Sequence, residues 1–226
     1  MVRIISLLAV LTLLATPSPA VAGEDWVVKA QRRLNSLGCS AGAPTGEIGP
    51  WTRSAVMRFQ SRSRMDQDGH LTDRTRRALY ADGAPRCDKR PIPASSGRGR
   101  RIVISQRQNW VWLVGPEGAV VAQGGIVDNP GVLSRGSYAV GSYCGRATRI
   151  KLNQSGSVWM DNFVRFAPCG IGFHRIPRYQ STGRQMHPDY LLGTNMTESH
   201  GCIRLSREMS LKVWKFTTRA TPVRVV

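Results

Sequence analysis

The sequence predicts an α+β chain, with a small three-helix N-terminal domain followed by a mostly β domain. Three observations predict this. Residues 24–88 hold an internal repeat, each copy reading as a Gly turn, one aliphatic residue and a short helical stretch. From Arg101 onward the apolar residues fall instead in short β-branched and aromatic runs punctuated by Gly, Pro and Asn. Between the two, residues 89–100 are rich in Pro, Ser, Gly and cations without apolar periodicity, the composition of a linker.

The chain opens on a positive Met1-Val2-Arg3, a largely apolar run from Ile4 to Leu14, a Thr16-Pro17-Ser18-Pro19 break and Ala20-Val21-Ala22. The apolar run is short for a bilayer span, and A-x-A is a cleavage signal. Residues 1–22 are therefore expected to be a signal peptide. The mature chain would start at Gly23 and be secreted to the cell wall or periplasm, with no membrane association after cleavage. Export permits disulfides.

Each helix has its own signals. Val27, Ala30, Leu34 and Leu37 recur at helical spacing, with Asp25 as the expected N-cap and Gly38 as the stop. The repeat then aligns Thr45–Val56 with Asp68–Leu79, pairing Gly46 with Gly69, Ile48 with Leu71, and Thr52 with Thr75. Pro50 suits a first helical position and Thr72 an N-cap. Ile48 and Leu71 are expected to be buried. In the second domain, strands are expected at Ile102–Ile104, Trp110–Val114, Ala119–Ala122, Ser137–Val140, Ser157–Phe166 and Ile171–Phe173. The first three form an antiparallel meander. A late helix is expected near Arg207–Thr218, with Leu211, Trp214 and Lys215 on one face.

Thirty-two Lys and Arg against 14 Asp and Glu give a net charge of +18. Such a charge suits an anionic partner, whether nucleic acid, acidic lipid or a wall polymer. Most of the cations are Arg, so coding bias is a competing explanation. No aromatic–basic recognition motif accompanies the charge, which argues against nucleic acid. The apolar fraction, 41 %, supports a core and excludes a wholly disordered chain.

The chemistry concentrates in Ser199-His200-Gly201-Cys202-Ile203-Arg204. A Cys beside a Gly can be a nucleophile on a tight turn whose backbone amides face a developing oxyanion. Its thiol needs a base, and His174, His187 and His200 are the candidates. Adjacent residues in a strand point to opposite faces, so proximity in sequence does not select His200. His174 ends an apolar run, Gly170-Ile171-Gly172-Phe173-His174, well placed to present an imidazole to a cleft. A zinc site from Cys202, His200 and His174 lacks paired ligand spacing, so neither metal nor cofactor is expected.

Two resemblances follow from these residues. Val28–Leu34, Leu37-Gly38, Gly46-x-x-Gly49-Pro50-x-Thr52, Ala55-Val56, Phe59-Gln60 and Asp68-Gly69 resemble the peptidoglycan-binding type 1 domain. The Ser199–Arg204 block resembles the signature of the L,D-transpeptidase (YkuD-like) catalytic domain. The strands opening at Ile102 and the Trp159–His174 approach support the second likeness. It implies a mixed-strand sandwich over residues 101–226, with Cys202 as nucleophile and His174 as base. Ser199, His200, Gly201 and Arg204 would frame the oxyanion, and Phe173, Arg175 and Tyr190 would contact substrate. The implied partners are peptidoglycan stem peptides and glycan. The implied reaction is acyl transfer through a Cys thioester, releasing D-Ala and forming a 3→3 cross-link. That chemistry requires Cys202 to stay free. With the other four pairing within their domains, the expected bridges are Cys39–Cys87 and Cys144–Cys169.

This chain departs from the pattern in three places. Ser134-Arg135-Gly136 lacks the usual Pro, Arg175 stands where a small residue is common, and the stretch between His174 and Ser199 is long. Arg178–Asn195 would then be an enlarged lid carrying Tyr179 and Tyr190. An L,D-carboxypeptidase would share the thioester and resolve it with water. A non-catalytic wall-binding protein would be expected to lack Cys202 or His174, and both are present.

Overall fold

The computed structural model describes residues 22–226, with side chains from Trp26 onward. The expected signal segment before Ala22 lies outside the described residues. The N-terminal region is three helices: α1 (Ala22–Ser36), α2 (Pro50–Arg62) and α3 (Asp73–Tyr80). Asp25 lies inside α1 rather than at its cap. Thr72 caps α3 as expected, its side chain accepting from the Thr75 amide, and Pro50 opens α2. Val27, Ala30, Leu34 and Leu37 are all buried.

The repeat has a different physical basis from the expected aliphatic. Ile48 is 39 % exposed and Leu71 only partly buried. A polar network recurs instead. The Gly46 amide donates to Gln31 Oε1, and Gln31 Nε2 donates to Thr52 Oγ1 at 2.9 Å. In the second copy Gly69 donates to Gln60 Oε1, and Gln60 Nε2 reaches Thr75 Oγ1 at 3.3 Å. Each buried amide side chain thus ties a turn to the first turn of the next helix, where an unpaired polar group would be costly. Cys39–Cys87 closes 48 residues of chain around this small core, worth about 4 kcal/mol in the chain-entropy model.

The second region packs two sheets face to face. In the first, β1 (Arg101–Ser105), β2 (Trp110–Val114), β3 (Val120–Gly125), β4 (Gly136–Ala139) and β10 (Pro222–Val225) run in the order β3-β2-β1-β10-β4. The expected meander is present, and β10 inserts parallel to β1. The second sheet runs β5 (Arg149–Ser155), β6 (Val158–Arg165), β7 (Gly172–Arg175), β9 (Ile203–Leu205), with β8 (Arg178–Tyr179) also on β6. Ile102, Ile104, Val111 and Leu113 meet Val164, Phe166, Phe173 and Ile203 between the sheets. Helix α4 (Arg207–Phe216) covers one end, burying Met209, Ser210 and Val213; of the expected face Leu211, Trp214 and Lys215, Trp214 packs against the core and Lys215 is exposed. No helix among the described residues is long and apolar enough to cross a membrane.

Residues 89–100 pack closely against the second region. Ile92 joins Val103, Trp110, Trp112 and Val114 on the outer face of the first sheet. Arg90 is buried 3.9 Å over the Trp110 ring, and its carbonyl accepts from Trp112 Nε1. Their polar composition conceals a strap that seals one face of β1 and β2.

The helical region also grips the expected lid. Buried Arg58 on α2 donates to three carbonyls: Cys39 O at 2.9 Å, Leu192 O at 2.9 Å and Tyr190 O at 2.6 Å. Burial pulls its guanidinium down to about 10, so it stays charged near neutral pH. Trp51 meets Tyr190 edge-on, ring centroids 5.4 Å apart. Replacing Arg58 by Met strands these carbonyls and should cost about 3 kcal/mol. Hydrogen exchange across residues 189–194 should quicken in that variant. Unchanged exchange there would mean that the lid holds itself.

Candidate active site

Cys202 lies immediately before β9, and His174 is on β7. The two strands pair in parallel, with Phe173 opposite Ile203 and His174 opposite Arg204. Both side chains open on one cavity of about 660 Å³, also lined by Ser199, His200 and Arg204. Cys202 is the one free cysteine, while Cys39–Cys87 and Cys144–Cys169 are joined as expected.

The turn before the thiol is tightly built. Gly201 has φ +112°, and a Cβ there would lie 2.7 Å from Val132 Cγ1. The Ser199 amide donates to Asp128 O, Asn129 Nδ2 donates to Ser199 O, and the Gly201 amide donates to Ser199 Oγ at 2.9 Å. The Gly201 amide is thus engaged within the turn itself. Asp128 accepts from Asn109, and burial raises its carboxyl to about 6. At Gly172 a Cβ would fall 2.6 Å from Phe163 Cζ, so only Gly lets β7 approach β6 here.

His174 is held by its own strand. Its Nδ1 lies 2.5 Å from Arg175 O, so Nδ1 carries the proton and Nε2 keeps a free lone pair. Phe163 stacks on the imidazole, centroids 6.0 Å apart. Burial pushes His174 down to about 4, against an upward pull from the Arg175 carbonyl. Cys202 Sγ donates to Gly170 O at 3.4 Å. Burial raises its thiol above the ordinary range, while the Gly172 amide, Arg165 and Arg204 pull it back. The resting pair is neutral. Any nucleophilic use of this thiol would need one proton to move from sulfur to imidazole.

Ser199, His200 and Arg204 line the cavity with the pair. Phe173, Arg175 and Tyr190, the expected substrate contacts, do not line it. Phe173 is buried in the core against Phe166, its side chain on the opposite face of β7 from His174. Arg175 is drawn outward to Asp161 and Gln185, and Tyr190 faces Trp51. From the lid, Met186 reaches the cavity. Sequence reading missed Arg165 and Phe163. The available signal was a charged residue closing the apolar run Phe163-Val164-Arg165-Phe166. Among the described residues, no three His, Cys, Asp or Glu side chains cluster as metal ligands would.

Comparison with known proteins agrees with this architecture. Residues 24–79 match the family model of a peptidoglycan binding domain. The chain thus joins a helical region of that type to an L,D-transpeptidase fold. The fold rests on similarity to the crystal structure of an L,D-transpeptidase from Xylanimonas cellulosilytica DSM 15894. That likeness has 23 % identity and TM-score 0.54, over 89 % of this chain and 93 % of that one. An L,D-transpeptidase from Stackebrandtia nassauensis is similar at 18 % identity and TM-score 0.45, covering 94 % and 97 % of the two chains. A fused Zn-dependent amidase/peptidase/peptidoglycan-binding domain-containing protein from Clostridium acetobutylicum ATCC 824 gives 18 % and 0.43, over 89 % and 95 %. No curated protein matches the sequence.

The neutral pair sets two pH dependences. His174 is depressed from an unfolded value of about 6.5, so its contribution to stability is complete above that pH and drains away toward pH 4. That loss is about 3 kcal/mol, and urea melts of His174→Gln between pH 7 and 4.5 should show a correspondingly flatter profile. Alkylation of Cys202 by iodoacetamide should be slow at neutral pH and keep rising beyond pH ~8.5. A plateau near neutrality would instead indicate a preformed thiolate.

Proposed function

We propose that this protein is an exported cell-wall L,D-transpeptidase that forms 3→3 cross-links between peptidoglycan stems through a thioester on Cys202. One observation carries the reading: an unpaired thiol and a tautomer-fixed imidazole share one cavity, from neighbouring parallel strands of an L,D-transpeptidase fold. His174 Nε2 takes the thiol proton as Cys202 attacks the carbonyl between the third and fourth stem residues. The oxyanion faces the Cys202 amide, whose Gly201 neighbour leaves room for it. His174 returns the proton to the departing amine of D-Ala. The side-chain amine of a second stem then attacks the thioester and gives its proton to His174, which passes it to the departing Cys202 sulfur as the new amide forms. The helical region, which matches a peptidoglycan binding domain, holds the same polymer that the cavity modifies. Its partners are stem peptides and glycan rather than nucleic acid.

Incubation with tetrapeptide muropeptides should yield cross-linked dimers, read by mass. Tripeptide monomers alone would identify the hydrolytic reaction. Cys202→Ala should abolish both products, and His174→Ala should slow turnover by about 10²–10⁴-fold near neutral pH. Turnover surviving in Cys202→Ala would overturn the assignment.

A further inference from the structure

The cavity beside Cys202 is strongly cationic. Arg146, Arg165 and Arg204 line it, and no Asp or Glu does. Among the described residues, none of the three arginines forms an ion pair. Arg165 is the most constrained. It ends β6 fully buried, its guanidinium lies 4.9 Å from the Phe163 ring, and its Nε donates to Ala147 O at 3.2 Å. Its Nη1 is enclosed with no hydrogen-bond partner. A buried guanidinium without a counter-ion is costly, and an orphaned donor adds to that cost.

Arg146 lies close enough for its charge to act on Arg165. Its turn is fixed rather than loose: the Arg146 amide donates to Tyr143 O at 3.0 Å, and Ser142 Oγ donates to Arg146 O at 2.6 Å. The neighbouring Cys144 is bonded to Cys169, beside the Gly170 carbonyl that accepts the Cys202 thiol. One covalent link therefore sets the cationic turn against the reacting sulfur. Two guanidiniums lining one cavity that holds no protein carboxylate suit a ligand carboxylate.

We propose that Arg165 and Arg146 form a carboxylate-binding subsite adjoining Cys202, which seats a free carboxylate of the acyl-donor peptide. The proposal rests on Cys202 being the acyl acceptor. Within a stem peptide the carboxylate has two sources, the side chain of the third residue and the C-terminus of the fourth. The subsite is a specificity element, separate from the thiol and imidazole that carry the chemistry.

The test measures peptide binding by calorimetry to the full chain carrying Cys202→Ala, so that no turnover intervenes. Three tetrapeptides are compared: one with both carboxylates free, one amidated at the third side chain, and one amidated at the C-terminus. One amidation should weaken binding roughly tenfold to a hundredfold and name the source. Adding Arg146→Ala, an exposed site that the fold tolerates, should shrink that ratio. Adding Arg165→Gln should remove it, and Arg165→Lys should restore part of it. Equal affinity for all three peptides, or an equal loss for all three in Arg165→Gln, would overturn the subsite. Failure of the enzymatic reading looks different: the wild-type chain would leave muropeptide masses unchanged while the amidation ratio persisted.

Discussion

The site depends on one pairing, the parallel contact of β7 with β9. It sets His174 opposite Arg204 and brings Cys202 alongside Gly172, two residues from the imidazole on the neighbouring strand. Parallel neighbours cannot be joined by a tight turn, because the chain must return to the starting end before the second strand begins. The long stretch between His174 and Ser199 is that return path. Its length is thus partly a topological necessity, and the enzyme-like cavity gains a wall from it.

A crossover without a long helix has few backbone bonds of its own, so it must be anchored from outside. Arg178 pairs with Asp161 through two hydrogen bonds of 2.7 and 2.9 Å. The Gly193 amide donates to Ile126 O, and Arg58 supplies the remaining hold from the helical region. The helical region therefore also contributes to the shape of the second one, which a reading of two independent modules on a linker does not anticipate. The same applies to residues 89–100, whose Arg90 and Ile92 close the far face of the first sheet.

Charge is distributed unevenly between function and surface. The cavity concentrates cations with no acidic residue in its lining, whereas Asp161 lies outside that lining and pairs with Arg175 and Arg178. Neutralising those two at the lid leaves the inner arginines as the dominant field on the thiol. Burial opposes ionisation of both Cys202 and His174, so the pair waits uncharged behind a hydrogen bond to Gly170 O. Such a site spends little stability on holding an ion pair in a low-dielectric cavity at rest.

The sequence by itself determined the division into helices and strands, the meander, and the Ser199–Arg204 turn with its free thiol. These are local signals: period, punctuation by Gly and Pro, and a short motif whose residues must be adjacent to work. It also carried both disulfides, once Cys202 was set aside and the other four were paired within their regions. Only the tertiary structure decided what depends on residues distant in the chain. Ile48 lies at the surface while Gln31 and Gln60 bridge the turns, because polar satisfaction depends on which groups meet, and apolar spacing does not register that. Phe173 faces the core and Arg175 leaves the cavity, because strand alternation and the position of Asp161 outweigh nearness to His174 in the chain. Arg165 lines the cavity because it ends β6 paired with Gly172 of β7, and strand β10, invisible as a separate signal, threads between β1 and β4. Pairing partners and burial are properties of the assembled sheets, and no window of the sequence contains them.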